Sequence, residues 1–269
     1  MCTYIARTEH RRKFVQELLI HLDVARMVQR AQRILIKPNI VSYELYPTTT
    51  HPDVLSSCLE FFVQWHKEIV VADGPAVDAG NSKTILNHHP LKEVCDSFDI
   101  PLIELTSQEM TTIVTESGME LEVAKVVFDY DFIVSLPVLK SHFSCFLTGA
   151  LKNQFGFFSV KERIGLHFGG DIFRAIAEVN SVIKPNLFIV DAVETLIKSN
   201  EVRHGGILAK LGYMLGGTDP LALDVFGLQL LSQIDPKLKG KHYQQIPYLA
   251  HAANLAIGDP QAQPLCLQI

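Results

Sequence analysis

Residues 34–39 read Ile-Leu-Ile-Lys-Pro-Asn, a short apolar run that ends abruptly in polar residues. Near-continuous hydrophobicity, in place of alternation, is typical of a strand that is covered on both faces. Similar runs recur along the chain and end at polar, Gly or Pro residues. They predict strands at 34–37, 69–73, 101–105, 132–136, 187–191, 213–216 and 255–258, with an edge or antiparallel strand at 123–128.

Helical patterns separate many of these runs. They predict helices at about 11–30, 52–66, 90–98, 171–183, 220–233 and 243–253. Two helix starts are well marked, because Pro52 and Pro220 fit the first helical position and Asp219 fits an N-cap. Alternating strands and helices indicate an α/β fold, a mostly parallel open sheet with helices on both faces. No linker or repeat interrupts the pattern, so we predict a single large domain over residues 1–269.

Composition excludes several classes of function. The chain has 269 residues and a formal net charge of −5, which argues against a nucleic-acid partner. No stretch approaches the roughly 20 apolar residues of a membrane span, so no membrane partner is expected. The five cysteines lie far apart, so we expect no iron–sulfur cluster and a reduced, cytoplasmic protein. The sequence does not indicate an oligomeric state or a cofactor.

Polar residues follow the predicted strands. Lys37 and Asn39 follow the first strand and Asp73 ends the second. Lys140 and His142 follow the strand at 132–136, Asp191 ends the strand at 187–191, and Gly216-Gly217-Thr218-Asp219 follows the strand at 213–216. Ligands of open parallel sheets bind beyond the carboxyl ends of the strands. These residues therefore predict one shared site at that rim.

The segment 137–170 has no clean strand or helix period, although it is rich in phenylalanine. We interpret it as a packed, site-forming loop or lid, since long irregular connections are usually functional. It would place Lys140, His142, Lys152, Asn153 and His167 in one region. Gly169 and Gly170 open the next predicted helix, and a glycine-opened helix N-terminus is a ready anion site.

Familiar catalytic signatures are absent from the sequence. No G-x-G-x-x-G follows the first strand, and there is no G-x-x-x-x-G-K-[ST], G-x-S-x-G or H-E-x-x-H. The usual signatures of dinucleotide binding, ATP binding, serine hydrolases and zinc proteases are therefore missing.

Blocks of the sequence resemble the domain of unknown function 362 family. They read IKPNIV, TTTHPDVL, VVADGP, IVSLPVLKSH, TGALKNQFGF, LFIVDA and GGTDPLALD, over about residues 33–227. The resemblance implies a shared site for Lys37, Asn39, His51, Lys140, His142, Lys152 and Asn153, without an established role for any of them. Many family members carry a ferredoxin-type cysteine segment, which this chain lacks. A looser resemblance to the nickel-pincer lactate racemases is an analogy only.

Three hypotheses of function follow. In the first, the chain is an enzyme with acid/base chemistry on a small carboxylated or phosphorylated molecule. Its catalytic candidates are His142, Lys140, Asp73 and Asp191, and its substrate-binding candidates are Lys37, Asn39, His51, Lys152, Asn153, His167, Gly169, Gly170 and Asp219.

In the second hypothesis, a metal-dependent or redox protein holds a metal with His51, His142 or His167 and with Asp73 or Asp191, or works with a separate ferredoxin-type partner. In the third, the chain binds an anion or a partner without chemistry, through the site or through its basic N-terminal helix.

Overall fold

Strands and helices alternate along residues 2–269, which are the residues that the computed structural model describes. The strands are β1 (Thr3–Arg7), β2 (Arg33–Pro38), β3 (Glu68–Asp73), β4 (Leu102–Glu104), β5 (Met110–Val114), β6 (Glu120–Ala124), β7 (Phe132–Leu136), β8 (Lys140–His142), β9 (Phe146–Thr148), β10 (Leu187–Ile197), β11 (Ile207–Gly217) and β12 (Leu265–Cys266). The α-helices are α1 (Arg11–His21), α2 (Val24–Val28), α3 (Pro52–Phe62), α4 (Ser82–His88), α5 (Pro90–Ser97), α6 (Ala150–Asn153), α7 (Val160–His167), α8 (Ile172–Val182), α9 (Pro220–Ser232) and α10 (Pro247–Asn254).

Eight strands form one sheet in the order β12-β1-β11-β10-β7-β2-β3-β4. Neighbouring strands from β10 to β4 are parallel, and so are β1 and β12. Strand β11 is antiparallel to both of its neighbours, β1 and β10. Seven of the eight strands therefore point the same way, which confirms the predicted α/β class with a mostly parallel sheet.

Both faces of the sheet are buried, and strand β2 shows how. Ile34 and Ile36 pack into the core formed with α1, α3 and α5, whereas Leu35 packs on the opposite face against Phe157 and Phe158. Side chains of a strand alternate between its two faces, so a strand that is covered on both sides has to be apolar throughout. This is the physical reason for the continuous apolar runs.

Helix α3 begins as the sequence predicts. Pro52 occupies the first helical position, and the His51 ring accepts a hydrogen bond from the backbone N–H of Asp53 at 3.1 Å. Helix α3 thus starts at the end of the connection from β2 and runs back along the sheet.

Several predicted boundaries were wrong. Residues 255–258 are not a strand but the turn after α10, in which Ala256 has a left-handed φ of 52°. The helix predicted at 11–30 is divided in two at Asp23, whose φ is 50°. Strand β1 was not predicted; it pairs with β11, more than 200 residues away, and no local pattern reports such a partner.

The segment 137–170 is not an irregular loop. It contains the hairpin β8–β9 and the helices α6 and α7. The strands of the hairpin are three residues long and α6 has four residues, too short for a periodic signal in the sequence. Within residues 2–269, no helix is both long and apolar enough to cross a membrane.

Candidate functional site

A cavity of about 430 Å³ opens beyond the carboxyl ends of β2 and β3 and beneath α7. We call it the central cavity. Of the residues singled out by sequence, it is lined by Lys37, Asn39, Asp73, Lys140, His142, Lys152, Asn153 and His167. The connections after β2 and β3, the hairpin β8–β9, α6, α7 and the turn between β10 and β11 all contribute lining residues. The expected convergence at one rim is therefore present for these eight residues, whose binding and catalytic roles stay predictions.

An ion pair between neighbouring strand ends lies at the bottom of the central cavity. The ammonium of Lys37, on β2, contacts a carboxylate oxygen of Asp73, on β3, and both side chains are almost fully buried. Asp73 also accepts backbone hydrogen bonds from Ile40 at 2.6 Å and Gly74 at 2.8 Å. Burial lowers the pKa of Lys37, whereas the charge of Asp73 beside it raises that pKa. The pair therefore holds the connections after both strands against each other.

Gly156 lies directly against this ion pair. A Cβ atom built at Gly156 would be 2.5 Å from both Asp73 Oδ1 and Lys37 Nζ. No side chain larger than hydrogen fits there without moving the pair. This explains a glycine at the end of the Leu-Lys-Asn-x-x-Gly block.

Helix α6 carries Lys152 and Asn153, and a buried carboxylate holds its first turn. Asp224, on α9, accepts hydrogen bonds from the backbone N–H groups of Ala150 at 2.6 Å and Leu151 at 3.0 Å. Burial raises the pKa of Asp224 to about 7. Asp224 was not among the residues predicted from sequence, yet it fixes the position of the helix that brings Lys152 to the cavity.

Lys152 supplies a charge without a counter-ion. Its ammonium lies 4.3 Å from the centre of the Phe155 ring and makes no ion pair or hydrogen bond within residues 2–269. The side chain is 8% exposed, and burial lowers its pKa. A buried cation without a carboxylate partner is costly, and an anionic ligand in the cavity would offset that cost.

Lys140 is a second buried lysine of the cavity. Its ammonium donates to the backbone carbonyl of Thr48, and its side chain is 1% exposed. Burial lowers the pKa of Lys140 to about 7, and the nearby Lys152 acts in the same direction. The carboxylates of Glu201 and Glu44 oppose the shift. At neutral pH a large fraction of Lys140 is therefore the free amine.

His142 is held as a neutral ring. Its Nδ1 accepts hydrogen bonds from the backbone N–H groups of Ser144 and Cys145, each at 3.2 Å. An accepting Nδ1 places the proton on Nε2. Burial lowers the pKa of His142 well below its usual range, and Lys152 and Lys140 lower it further. The ring therefore offers an N–H donor to the cavity.

Arg163 is a lining residue that the sequence did not reveal. Its buried guanidinium donates to the backbone carbonyls of Phe158, Gly74, Pro75 and Gly156 at 2.6–2.9 Å. These bonds tie α7 to the connection after β3. Burial lowers the pKa of Arg163 to about 10, and its charge adds to the positive potential of the cavity.

The turn between β10 and β11 brings Asn200, Glu201 and His204 to the cavity. Glu201 accepts from the Arg203 guanidinium at 2.6 Å, and the His204 ring lies 3.4 Å from Glu201 and 3.1 Å from Asp78. Sequence reasoning missed this turn because it predicted only the far ends of the hairpin formed by β10 and β11.

Three amide oxygens of lining residues have no hydrogen-bond donor within residues 2–269. They belong to Asn39, Asn153 and Asn200. The orientation of the Asn153 amide is set by its nitrogen, which donates to the Ser135 hydroxyl at 2.9 Å. Buried acceptors are usually paired with a protein donor, water or a ligand. These three oxygens are buried in the wall of the cavity and are left unpaired by the described part of the protein.

Asp191 and His51 lie outside the central cavity. Asp191 accepts from Arg11 Nε at 2.6 Å, from the Tyr46 hydroxyl at 2.8 Å and from the backbone N–H of Val193 at 3.0 Å. The His51 ring packs edge-on against Tyr46 and caps α3. Both carboxylate oxygens of Asp191 therefore accept hydrogen bonds from groups of the protein, and these contacts join β10 to Arg11 and Tyr46.

Asp219, Gly169 and Gly170 also lie elsewhere. Because β11 runs opposite to its neighbours, the residues after it leave at the other rim of the sheet. There Asp219 caps α9 through the N–H of Ala222 and accepts from Asp259, each at 2.9 Å. The Asp171 carboxylate caps the helix after Gly170 and accepts a hydrogen bond from Arg174 N at 3.0 Å. This carboxylate therefore occupies the place where an anion would bind at the helix N-terminus.

The three histidine metal candidates do not form one group, because His142 and His167 line the central cavity and His51 lies outside it. Within residues 2–269, no group of three or more His, Cys, Asp or Glu side chains is arranged to hold a metal ion. All five cysteines are unpaired, and the compartment inferred from their spacing stays a prediction.

The blocks that carry the cavity residues fall within a known family. The profile of the domain of unknown function family DUF362 matches residues 34–229, most of the chain. This chain belongs to the DUF362 family. It is 26% identical over 216 residues to the thylakoid-associated protein sll1697 of Synechocystis, a match that covers 78% of this chain and 65% of that protein.

A solved structure shows the fold of this DUF362 chain in another protein. The lactate racemase apoprotein of Thermoanaerobacterium thermosaccharolyticum superposes with a TM-score of 0.55 at 14% identity, over 86% of this chain and 57% of that one. A Thermotoga maritima protein superposes with a TM-score of 0.42 at 12% identity. The chain thus spans about two thirds of the cyanobacterial relative and somewhat more than half of the racemase. At such identity the racemase shows the fold and nothing further.

The ion pair at the bottom of the cavity can be tested through Gly156. In Gly156→Ala, the new methyl group displaces Lys37 or Asp73, and we expect the free energy of unfolding to fall by about 2–3 kcal/mol, the usual cost of overpacking. Urea unfolding measures it. Gly165→Ala is the control, since a Cβ there meets nothing within 4 Å and alanine favours the helix. Equal stability of both variants would contradict the close approach of Gly156 to Lys37 and Asp73.

The structural role of Asp191 gives a second prediction. Asp191→Ala leaves Arg11, only 11% exposed, without its carboxylate, so we expect a loss of about 3 kcal/mol in the free energy of unfolding. Anion binding to the folded variant should be unchanged. Glu68→Ala, which breaks an exposed pair with Arg33, should cost less than about 1 kcal/mol. If a stable Asp191→Ala protein loses anion binding, Asp191 belongs to the binding site and its assigned structural role is wrong.

Proposed function

We propose that this chain is an enzyme that binds a small carboxylated or phosphorylated molecule in the central cavity and carries out acid/base chemistry on it. The observation that carries the proposal is the buried ammonium of Lys152, which faces the cavity without a carboxylate partner within residues 2–269. The charge of Arg163, whose guanidinium contacts only backbone carbonyls, adds to the same potential. An anion is the ligand that this field favours.

The division of labour follows from the state of each group. Lys152 holds the anionic group of the substrate. Lys140 is the base, because a lysine whose pKa lies near 7 can accept a proton at neutral pH. The neutral ring of His142 donates its Nε2–H to an oxygen that gains negative charge in the reaction, as preorganised donors do in oxyanion sites.

Asp73 and Lys37 act together as the floor of the site rather than as separate groups. Asp73 is engaged by Lys37 and by the backbone N–H groups of Ile40 and Gly74, so it positions Lys37 and the connection after β2. Asn39 and Asn153 line the cavity beside this floor as candidate substrate-binding residues. The metal-dependent, redox and non-catalytic alternatives stay hypotheses.

The anion site is tested by Lys152→Met. Removal of the charge should weaken the binding of sulfate or phosphate at least about 30-fold, the usual loss when one partner of a buried charged contact is removed. The melting temperature without ligand should rise, because an uncompensated buried charge is replaced by an apolar side chain. Isothermal titration calorimetry and thermal unfolding measure the two effects.

The matched control is Lys161→Met, on the exposed face of α7, which should change neither quantity. If Lys152→Met binds anions as the wild type does, Lys152 is not the anion-binding group and the proposal fails.

The titration of Lys140 predicts a pH dependence. Sulfate keeps its charge near neutrality, so a change in its affinity reports on the protein. Below its pKa of about 7, Lys140 is an ammonium that attracts sulfate, and above it the free amine does not. The affinity for sulfate should therefore fall about tenfold as the pH rises through 7, because one hydrogen bond to a charged group contributes roughly a factor of ten in binding.

Lys140→Met should bind sulfate weakly at all these pH values and lose the pH dependence. Burial lowers the pKa of His142 and of His167, so neither ring supplies the charge that disappears near pH 7. A wild-type profile that survives in Lys140→Met would assign the titration to another group.

A further inference from the structure

The opening of the central cavity is lined by exposed apolar side chains. They are Val77, Phe143, Ile164 and Phe168, with exposed fractions of 39%, 55%, 43% and 86%. We call these four residues the mouth patch. Single exposed apolar residues are ordinary, but a cluster of them around an opening marks a binding surface.

The mouth patch is assembled from three separate segments of the chain. Val77 follows β3, Phe143 lies at the turn of the hairpin β8–β9, and Ile164 and Phe168 belong to α7 and its end. On α7, Ile164 and Phe168 lie on the outer side of the helix, four residues apart, while Arg163 points inward and is 3% exposed. The hydrogen bonds that hold Arg163 against the cavity therefore also leave Ile164 and Phe168 exposed on the outer side of α7.

The character of the lining changes from the interior to the opening. Inside lie the ammonium groups of Lys152 and Lys140, and Phe155 lies against Lys152. At the opening lie the aromatic rings of Phe143 and Phe168. A ligand that satisfies both regions has an anionic end and an apolar body.

We infer that the substrate is an amphipathic anion, whose carboxylate or phosphate head binds at Lys152 and whose aliphatic or aromatic body lies across Phe143, Ile164 and Phe168. This inference rests on the proposed function, because it uses the same anion site. A volume of about 430 Å³ is within the range of small-molecule sites.

A small molecule fits the patch better than an anionic membrane surface does. The patch surrounds a cavity instead of forming a flat face. The Asp78 carboxylate at the same opening is paired with Arg203 at 2.8 Å, and the lysines that line the cavity are buried, so no exposed lysine of the lining meets anionic lipid headgroups.

The experiment compares a homologous series of carboxylates: acetate, butyrate, hexanoate and octanoate, with 3-phenylpropanoate as the aromatic member. Calorimetric titration of the full chain gives a dissociation constant for each. All have one negative charge at neutral pH, so differences report the apolar body. Each methylene that becomes buried should tighten binding about fourfold.

The variant Phe143→Ala/Phe168→Ala tests the patch itself. Acetate affinity should stay unchanged, and octanoate and 3-phenylpropanoate should bind about tenfold or more weakly, since each ring offers a large apolar contact. Phe128→Ala is the matched control, because Phe128 is 48% exposed and does not line the cavity. It should bind the whole series as the wild type does.

The outcomes separate this inference from the proposed function. If acetate and octanoate bind equally and Lys152→Met abolishes both, the anion site stands and the amphipathic ligand is overturned. If neither the carboxylates nor sulfate and phosphate bind, the proposed function fails. If affinity does not depend on chain length, and vesicles that contain anionic phosphatidylglycerol bind the wild type but not Phe143→Ala/Phe168→Ala, the patch is a membrane contact and the inference is wrong.

Discussion

The buried contact between Lys37 and Asp73 is the constraint on which the site depends. It joins the carboxyl ends of two adjacent parallel strands at the place where each strand leaves the sheet. Desolvation of two charges costs about as much as their attraction returns, so such a pair is weak evidence for stability. Its effect here is positional. Asp73 fixes Ile40 and Gly74 by their backbone N–H groups, and Gly156 closes against the pair from above.

Other buried charged groups that the structure describes near the site lack the ion-pair partner that Lys37 has. Lys152 and Lys140 are buried without a carboxylate in direct contact, and burial raises the pKa of Asp224 although two backbone N–H groups donate to it. Stable proteins normally pair such groups. Two such lysines in the lining of one cavity are characteristic of a functional site. Membership of DUF362 and the racemase fold establish the scaffold, and the chemistry depends on these side chains.

Some features of the site were readable from sequence and others were not. Lys37 and Asp73 could be predicted, because a polar residue at the end of a continuous apolar run lies at the rim of the sheet. Arg163, Glu201 and Asp224 could not, since nothing local distinguishes a buried charged residue on a helix or turn from an exposed one. Lys140 and His142 looked like residues of an irregular loop, yet tertiary contacts make them a buried hairpin strand.

The sequence by itself determined the class of fold, because a strand covered on both faces needs an apolar residue at every position, and this pattern is local. It also determined that Lys37 and Asp73 lie at the ends of their strands. Only the tertiary structure decided which of them meet. The reversed direction of β11 sends Asp219 to the opposite rim, and Arg11 engages Asp191 from 180 residues away. Strand direction and long-range ion pairs depend on contacts between distant segments, and such contacts leave no periodic trace in the chain.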